Sequence, residues 1–184
     1  MTRARSTYGG TPNQWPTSQV PRYDRIVATS ASGKTRVPAV DGWFTTGDEP
    51  TLLASRCGEC GTYVFPPGPT WCPNPACSST AFDEVCLSRR GRVWSYTDAR
   101  YQPPAPYRAC DPHEPFAIAA VELVAEKLVV IGQVVGGVSC DDLAVGDEVE
   151  LVVDTLFEDD GHEYLVWKWK PANASAEPEG WADG

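Results

Sequence analysis

The alternation of apolar and polar residues along this chain changes character near residue 90. From there on, several short runs repeat with a period of two, the spacing of strands that bury one face. They are "GRVWSYTDARY" (91–101), "FAIAAVELV" (116–124), "KLVVIGQVV" (127–135), "DEVELVVDTLF" (147–157) and "EYLVWKWK" (163–170), all rich in β-branched and aromatic residues. Turn-forming segments separate them: the proline-rich "QPPAPYRACDPHEP" (102–115), a short link at Ala125 and Glu126, "GGVSCDDLAVG" (136–146) and the polar turn "EDDGH" (158–162). Five short strands and no long helical pattern predict a small closed barrel of the OB type, with a β-sandwich as the rival arrangement. Trp94 and Tyr96, like Trp167 and Trp169, stand two apart, so each pair is expected on one face, ordinarily the core face.

Upstream the pattern is different. "DGWFTTGDEPTLLASRC" (41–57) predicts a short helical turn behind Asp41 or Asp48, followed by a first strand. That strand ends on the first of four clustered cysteines, spaced Cys57-x2-Cys60, eleven residues, Cys72-x4-Cys77. Gly58 and Gly61 permit the tight turns that aim two sulfurs at one ion. This is the spacing of a zinc ribbon, in which four thiolates close a tetrahedral Zn²⁺ site and leave no position open for catalysis. So short a segment has little core of its own, and metal binding supplies its folding energy. The bland alternative is four buried thiols. Iron is the narrower one, because "CGECG" also has the form of a rubredoxin knuckle. The ribbon and barrel are expected to have separate cores, so that Cys57→Ser would unfold the first and spare much of the second.

Charge divides the 184 residues unevenly. Residues 1–36 hold six basic side chains against Asp24 alone, about +5, whereas residues 37–184 hold nine basic and 24 acidic ones, about −15. The predicted organisation is therefore a disordered basic arm or linker (1–36), a short helical lead-in with the zinc ribbon (37–86), the barrel (87–171) and a flexible acidic tail (172–184). A body this acidic repels a phosphate backbone, which argues against the single-stranded nucleic acid binding that many OB-folds perform. No run of apolar residues approaches the ~20 needed to span a bilayer, and "MTRARSTYGGTPNQ" lacks the apolar stretch of a secretory signal. The cytoplasm is the expected location; its reducing conditions favour metal over disulfides for clustered cysteines.

Taken together, "LLASRCGECGTYVFPP", the second cysteine pair, "RRGRVWSYT", "PFAIAAVEL" and "LAVGDEVEL" resemble the DUF35 family of zinc-ribbon OB-fold proteins, from about Val37 to Pro171. The ending "YLVWKWKPA" is most similar to the member domain that partners a thiolase-like steroid side-chain aldolase. The resemblance implies a non-catalytic accessory subunit beside a thiolase-superfamily enzyme, an aldolase or thiolase, that handles acyl-CoA substrates. Such a subunit works in a hetero-oligomer, with structural zinc at Cys57, Cys60, Cys72 and Cys77 and no catalytic or cofactor-binding residue of its own. The second pair of cysteines is commonly C-x2-C in the family, and the x4 spacing here departs from it.

The residues offer one competing chemistry. In "CDPHEP", Cys110, Asp111, His113 and Glu114 crowd together, and a cysteine beside a histidine could act as nucleophile and base in a hydrolase. Closeness in sequence does not make a hydrogen bond, and no orienting group or oxyanion hole is legible. The loop is better read as a contact surface shaped by its prolines. Cys86 and Cys140 are expected to be packing residues, and His162 a surface residue of its turn. "SRRGR" brings Arg89, Arg90 and Arg92 to the join of ribbon and barrel, where they would either meet an anion such as a CoA phosphate or lie solvated.

Overall fold

The computed structural model describes residues 33–104, 108 and 112–172. The proposed tail from residue 173, most of the arm, and Cys110 with Asp111 lie outside the described residues. The fold is almost entirely β, and its five-stranded barrel is closed.

The described residues form nine strands: β1 (Thr35–Pro38), β2 (Leu53–Cys57), β3 (Tyr63–Val64), β4 (Phe82–Cys86), β5 (Arg90–Ala99), β6 (Phe116–Leu123), β7 (Leu128–Val134), β8 (Glu148–Glu158) and β9 (His162–Pro171). The five runs expected from period-two alternation are β5 to β9, each placed to within two residues. Antiparallel pairing joins β5 to β6 and β6 to β7, β7 meets β9 in parallel, β9 pairs antiparallel with β8, and β8 returns to β5. Every strand of that ring has two neighbours, which settles the choice between barrel and sandwich.

Alternation explains the filling. Along β6, Ala117, Ala119, Val121 and Leu123 are buried, and along β9 Leu165, Trp167 and Trp169. Trp169 is wholly enclosed, and there is room for it because β7 carries Gly132 opposite: a Cβ there would stand 2.9 Å from the indole nitrogens of both Trp167 and Trp169. Both tryptophans of β9 thus lie in the core, as expected. The other pair does not. A bulge in β5 shifts the register between Val93, opposite Val121, and Ser95, opposite Ala120. Trp94 keeps the outward phase of Arg92 and is 61% exposed, and the extra residue brings Tyr96 onto the core instead.

Three further expectations are corrected. No helical turn follows Asp41 or Asp48. Instead, residues 44–52 form a loop closed by a bridge between Phe44 and Leu52, with hydrogen bonds from the Thr45 amide to the Thr51 carbonyl (2.9 Å) and from the Thr51 amide to Thr45 Oγ1 (3.0 Å). Thr45 does from within the loop what a helix cap would have done. Thr35 and Arg36, assigned by charge to the arm, belong to β1, which pairs in parallel with the start of β9. Lys34 bonds Glu158 at 2.6 Å, and Arg36 Nε stands 3.4 Å from the nearly buried Glu163, whose other oxygen accepts from Thr155 Oγ1. Finally, the ribbon and the barrel do not have separate cores. Phe44, Leu52, Ala54 and Leu87 join the barrel's residues in one continuous apolar cluster.

Candidate metal centre and its mounting

Three short strands in the order β3-β2-β4 carry the cysteines. β2 delivers Cys57, and the chain then folds back so that the Gly61 amide donates to the Cys57 carbonyl (2.9 Å) and the Cys57 amide to the Thr62 carbonyl (2.9 Å). Gly61 sits at φ +74°, a backbone state that a residue with a Cβ rarely adopts. On the other side, the Cys72 amide donates to the Ser79 carbonyl and the Cys77 amide to the Asn74 carbonyl, both at 2.9 Å. The Asn74 side chain also accepts from the Ala76 amide (3.0 Å), so the four residues between Cys72 and Cys77 form a turn stabilised by their own asparagine. That is how the wider spacing still brings both sulfurs inward.

All four sulfurs lie within 4.8 Å of one another, with Cys57 to Cys77 at 3.8 Å and Cys60 to Cys72 at 3.5 Å. Sulfurs about 2.3 Å from a tetrahedral zinc ion stand about 3.8 Å apart, so the arrangement fits such an ion. The local electrostatics also call for a cation. The Thr62 hydroxyl, 3.1 Å from the Cys60 sulfur, and the Thr62 backbone pull that thiol down to about 6. Against the Ser79 backbone, which lowers it, burial and the sulfurs of Cys60, Cys57 and Cys72 push Cys77 up to about 12. Sulfurs this close do not all shed their protons unaided, and a dication removes that obstacle.

The centre is mounted on the barrel by an aromatic joint. Phe65, just after the first knuckle, and Trp43 and Phe44, before β2, converge on Trp167. Ring centroids are 5.7 Å apart for Phe65–Trp167 and Phe44–Trp167, 5.9 Å for Trp43–Trp167 and 5.7 Å for Trp43–Phe65. The connector is pinned as well: Glu126 Oε1 accepts from both the Ser88 amide and its hydroxyl at 2.8 Å, and Thr51 Oγ1 donates to the Leu87 carbonyl at 3.0 Å. Sequence reasoning passed over this joint. Its signal was the pair Trp43–Phe44 and Phe65 in "YVFPP", large aromatic residues that lie outside every period-two run.

The remaining candidates are placed as follows. Arg89, Arg90 and Arg92 face Glu49, Glu150 and Glu148 at 3.2–3.6 Å, so the basic cluster is matched largely by the acids of β8, its ladder neighbour. His113 bonds the Ala99 carbonyl through Nε2 (3.0 Å), with its ring against Phe116, which ties the end of the proline-rich loop to β5. His162 lies at its turn beside Asp159, 3.5 Å away. Cys86 is exposed rather than packed. Cys140 is half-buried, and burial and a hydrogen bond to Asp98 push its thiol up to about 11, which makes it a poor nucleophile. With Trp167 and Trp169 inside the barrel, β9 offers neither of them as a platform for stacking bases. Among the described residues no helix is long and apolar enough to cross a membrane.

Comparison with known proteins agrees with this geometry. Residues 46–83 match the family profile of the ChsH2 rubredoxin-like zinc ribbon domain, and residues 84–154 that of the ChsH2 C-terminal OB-fold domain. A DUF35 domain-containing scaffold protein of Methanocaldococcus jannaschii is 32% identical over 136 residues, covering 72% of this chain and 89% of the relative. The benzoylsuccinyl-CoA thiolase subunit BbsA of Thauera aromatica is 31% identical over 128 residues, 67% of this chain and 78% of that one. Among solved structures, the Ltp2-ChsH2(DUF35) aldolase is similar with a TM-score of 0.50 and 34% identity, covering 66% of this chain and 85% of its own.

Proposed function

Because the chain belongs to the DUF35 family of zinc-ribbon and OB-fold scaffold proteins, we propose that it is a non-catalytic accessory subunit of a thiolase-superfamily acyl-CoA enzyme, an aldolase or thiolase. In this reading Cys57, Cys60, Cys72 and Cys77 hold one structural zinc, and the steroid side-chain class of acyl-CoA is the favoured substrate of the partner. The observation that carries it is the filled construction of both halves. Four cysteines that close one tetrahedral site leave no coordination position for a substrate, and the barrel's interior is occupied by Trp169 and its neighbours. Two relatives point the same way, one described as a thiolase subunit and one as part of an aldolase. An added rigid unit can complete the wall of a partner's substrate channel, where a misplacement of about 1 Å costs on the order of a hundredfold in rate. The test is reconstitution with a thiolase-like subunit from the same organism. The pair should cleave a β-keto or β-hydroxy acyl-CoA at a rate neither component reaches alone. Turnover by the purified chain unaided, stopped by Cys110→Ala, would instead establish the hydrolase.

A further inference from the structure

On the outer wall of the barrel, β6 and β7 depart from the pattern that water imposes. Residues with their side chains outward there should be polar, as they largely are on β8 and β9, where Lys168 bonds Asp154 at 2.7 Å and Glu150 meets Arg89 and Arg90. On β6 and β7 the outward positions are instead mostly apolar. The ladder sets Ala120 against Ile131 and Glu122 against Val129, with Val124 just past the end of β6. The bulge in β5 adds Trp94 beside them, since Ser95 pairs with Ala120. Ile131 is 64% exposed, Val124 and Trp94 61% and Val129 43%. Together these four present roughly 400 Å² of apolar surface, the size of the largest patch on a typical monomer, which is often functional. It is about half of the ~800 Å² that one partner contributes to an interface of standard size. Glu122 is the one formal charge at the outward positions of β6 and β7, and Arg92 of β5 stands opposite it.

We propose that this wall, centred on Ile131 with Trp94 at its margin, is the face on which the thiolase-like subunit docks, through an apolar and uncharged surface of its own. The inference rests on the accessory-subunit reading above. The wall is the outer face of paired strands, β6 lying between β5 and β7, so what it offers a partner is side chains rather than backbone. Charge selects between occupants. Each copy of this chain carries a net charge of −10, so pairing two copies through the wall brings like-charged bodies together, whereas a different protein that is less acidic meets a smaller penalty. The bulge is then functional: it leaves Trp94 and Ser95 both outward, so that the margin of the contact carries a tryptophan, a residue type enriched among those that dominate binding.

The test uses the full chain, tagged and coexpressed with a thiolase-like subunit from the same organism. Ile131→Glu places a charge in the wall without entering the core, and Val40→Glu, at an exposed apolar residue beyond β1, controls for added charge. Zinc content and melting temperature confirm that each variant is folded, and Trp94→Ser serves if Ile131→Glu does not fold. At least tenfold weaker association for the wall variant, with Val40→Glu unchanged, is the expected result. Equal loss in both variants, or wild-type binding by a folded wall variant, overturns the face while leaving the accessory reading intact. Failure of the wild-type chain to pair with the subunit overturns that reading, and the face with it. A dimer of the isolated chain that Ile131→Glu dissolves, with subunit binding retained, would make the occupant a second copy and overturn the proposal.

Discussion

The ribbon and the barrel are both small β-structures, yet different forces stabilise them. The strands of the ribbon are two to five residues long, and at its centre lie cysteine sulfurs. Those of the barrel run from seven to eleven residues around a core of valine, leucine, alanine and tryptophan. What the contrast teaches is where the ribbon's few apolar residues go. Leu52, Ala54 and Leu87 do not pack around the metal centre; they join the barrel's cluster, and Trp43, Phe44 and Phe65 gather on Trp167. One half is closed at its far end by an ion and at its near end by the other half's core.

The sharpest break in this comparison is removal of the metal. Structural zinc sites in small peptides contribute roughly 10–16 kcal/mol of folding energy, on the scale of a whole domain's stability of about 5–15 kcal/mol. Cys72→Ser, or exhaustive chelation, should therefore release the ribbon. Because the core is shared, the barrel should not be left as it was: thermal unfolding followed by circular dichroism should show it melting at a lower temperature. An unchanged barrel transition would restore two separate cores. Elemental analysis of the fresh wild-type protein should find one zinc per chain.

Next in size are the residues of the joint. Trp167→Ala removes the ring on which three other aromatics converge, and large-to-small changes of a buried aromatic cost about 3–5 kcal/mol. The loss should appear in both halves, as a lower denaturation midpoint and weaker zinc retention, and loss in the barrel alone would show that the joint is not what couples them. Gly132→Ala presses on the same joint from the barrel side. Its Cβ would meet both tryptophan nitrogens, and overpacking of this kind costs about 1–3 kcal/mol; because one of the two rings is Trp167, zinc retention should weaken too, by less than in Trp167→Ala.

How much of this was legible beforehand follows from the physics of each element. The five barrel strands were, because a closed sheet with a filled interior imposes period two on every strand. The four cysteines were, because ligand type and spacing are nearly sufficient for a ribbon. Trp94 was misplaced because a bulge inserts one residue and inverts the parity on which such a reading depends. The lead-in was misread as helical because an aspartate such as Asp41 or Asp48 can serve a loop as well as a helix cap, and the local sequence does not choose. β1 was hidden because Thr35–Pro38 is short and half-buried, and it becomes a strand only through a parallel partner more than a hundred residues away, which no local pattern encodes.

β1 also supplies a test of where the barrel ends. Deleting residues 1–32 should leave the melting temperature nearly unchanged, whereas deleting 1–38 removes a strand. Arg36→Ala isolates part of that difference: it leaves Glu163, 8% exposed, with Thr155 but no cation, and stranding a buried polar partner costs about 1–3 kcal/mol. If both deletions melt alike, the strand adds nothing, and the folded body begins at residue 39.

The smallest effects are expected where ribbon passes into barrel, at the three arginines, and they should differ among themselves. Arg90 and Arg92 are largely exposed and reach their glutamates at 3.6 Å, a distance and a setting in which water and salt screen most of the attraction. Replacing either by alanine should change stability by no more than about 0.5 kcal/mol, less still in high salt. Arg89 is different. Its guanidinium lies between Glu49 of the lead-in loop and Glu150 of β8, and its Nε is enclosed, so the side chain covers apolar surface as well as carrying charge. Arg89→Ala should cost about 1 kcal/mol and keep most of that cost in high salt, because packing is not screened. Chemical denaturation at two ionic strengths separates these cases. If all three variants lose stability equally and the loss vanishes in salt, the arginines act as charges alone, and the ribbon is seated on the barrel by its aromatic joint and the Glu126–Ser88 hydrogen bonds without their help.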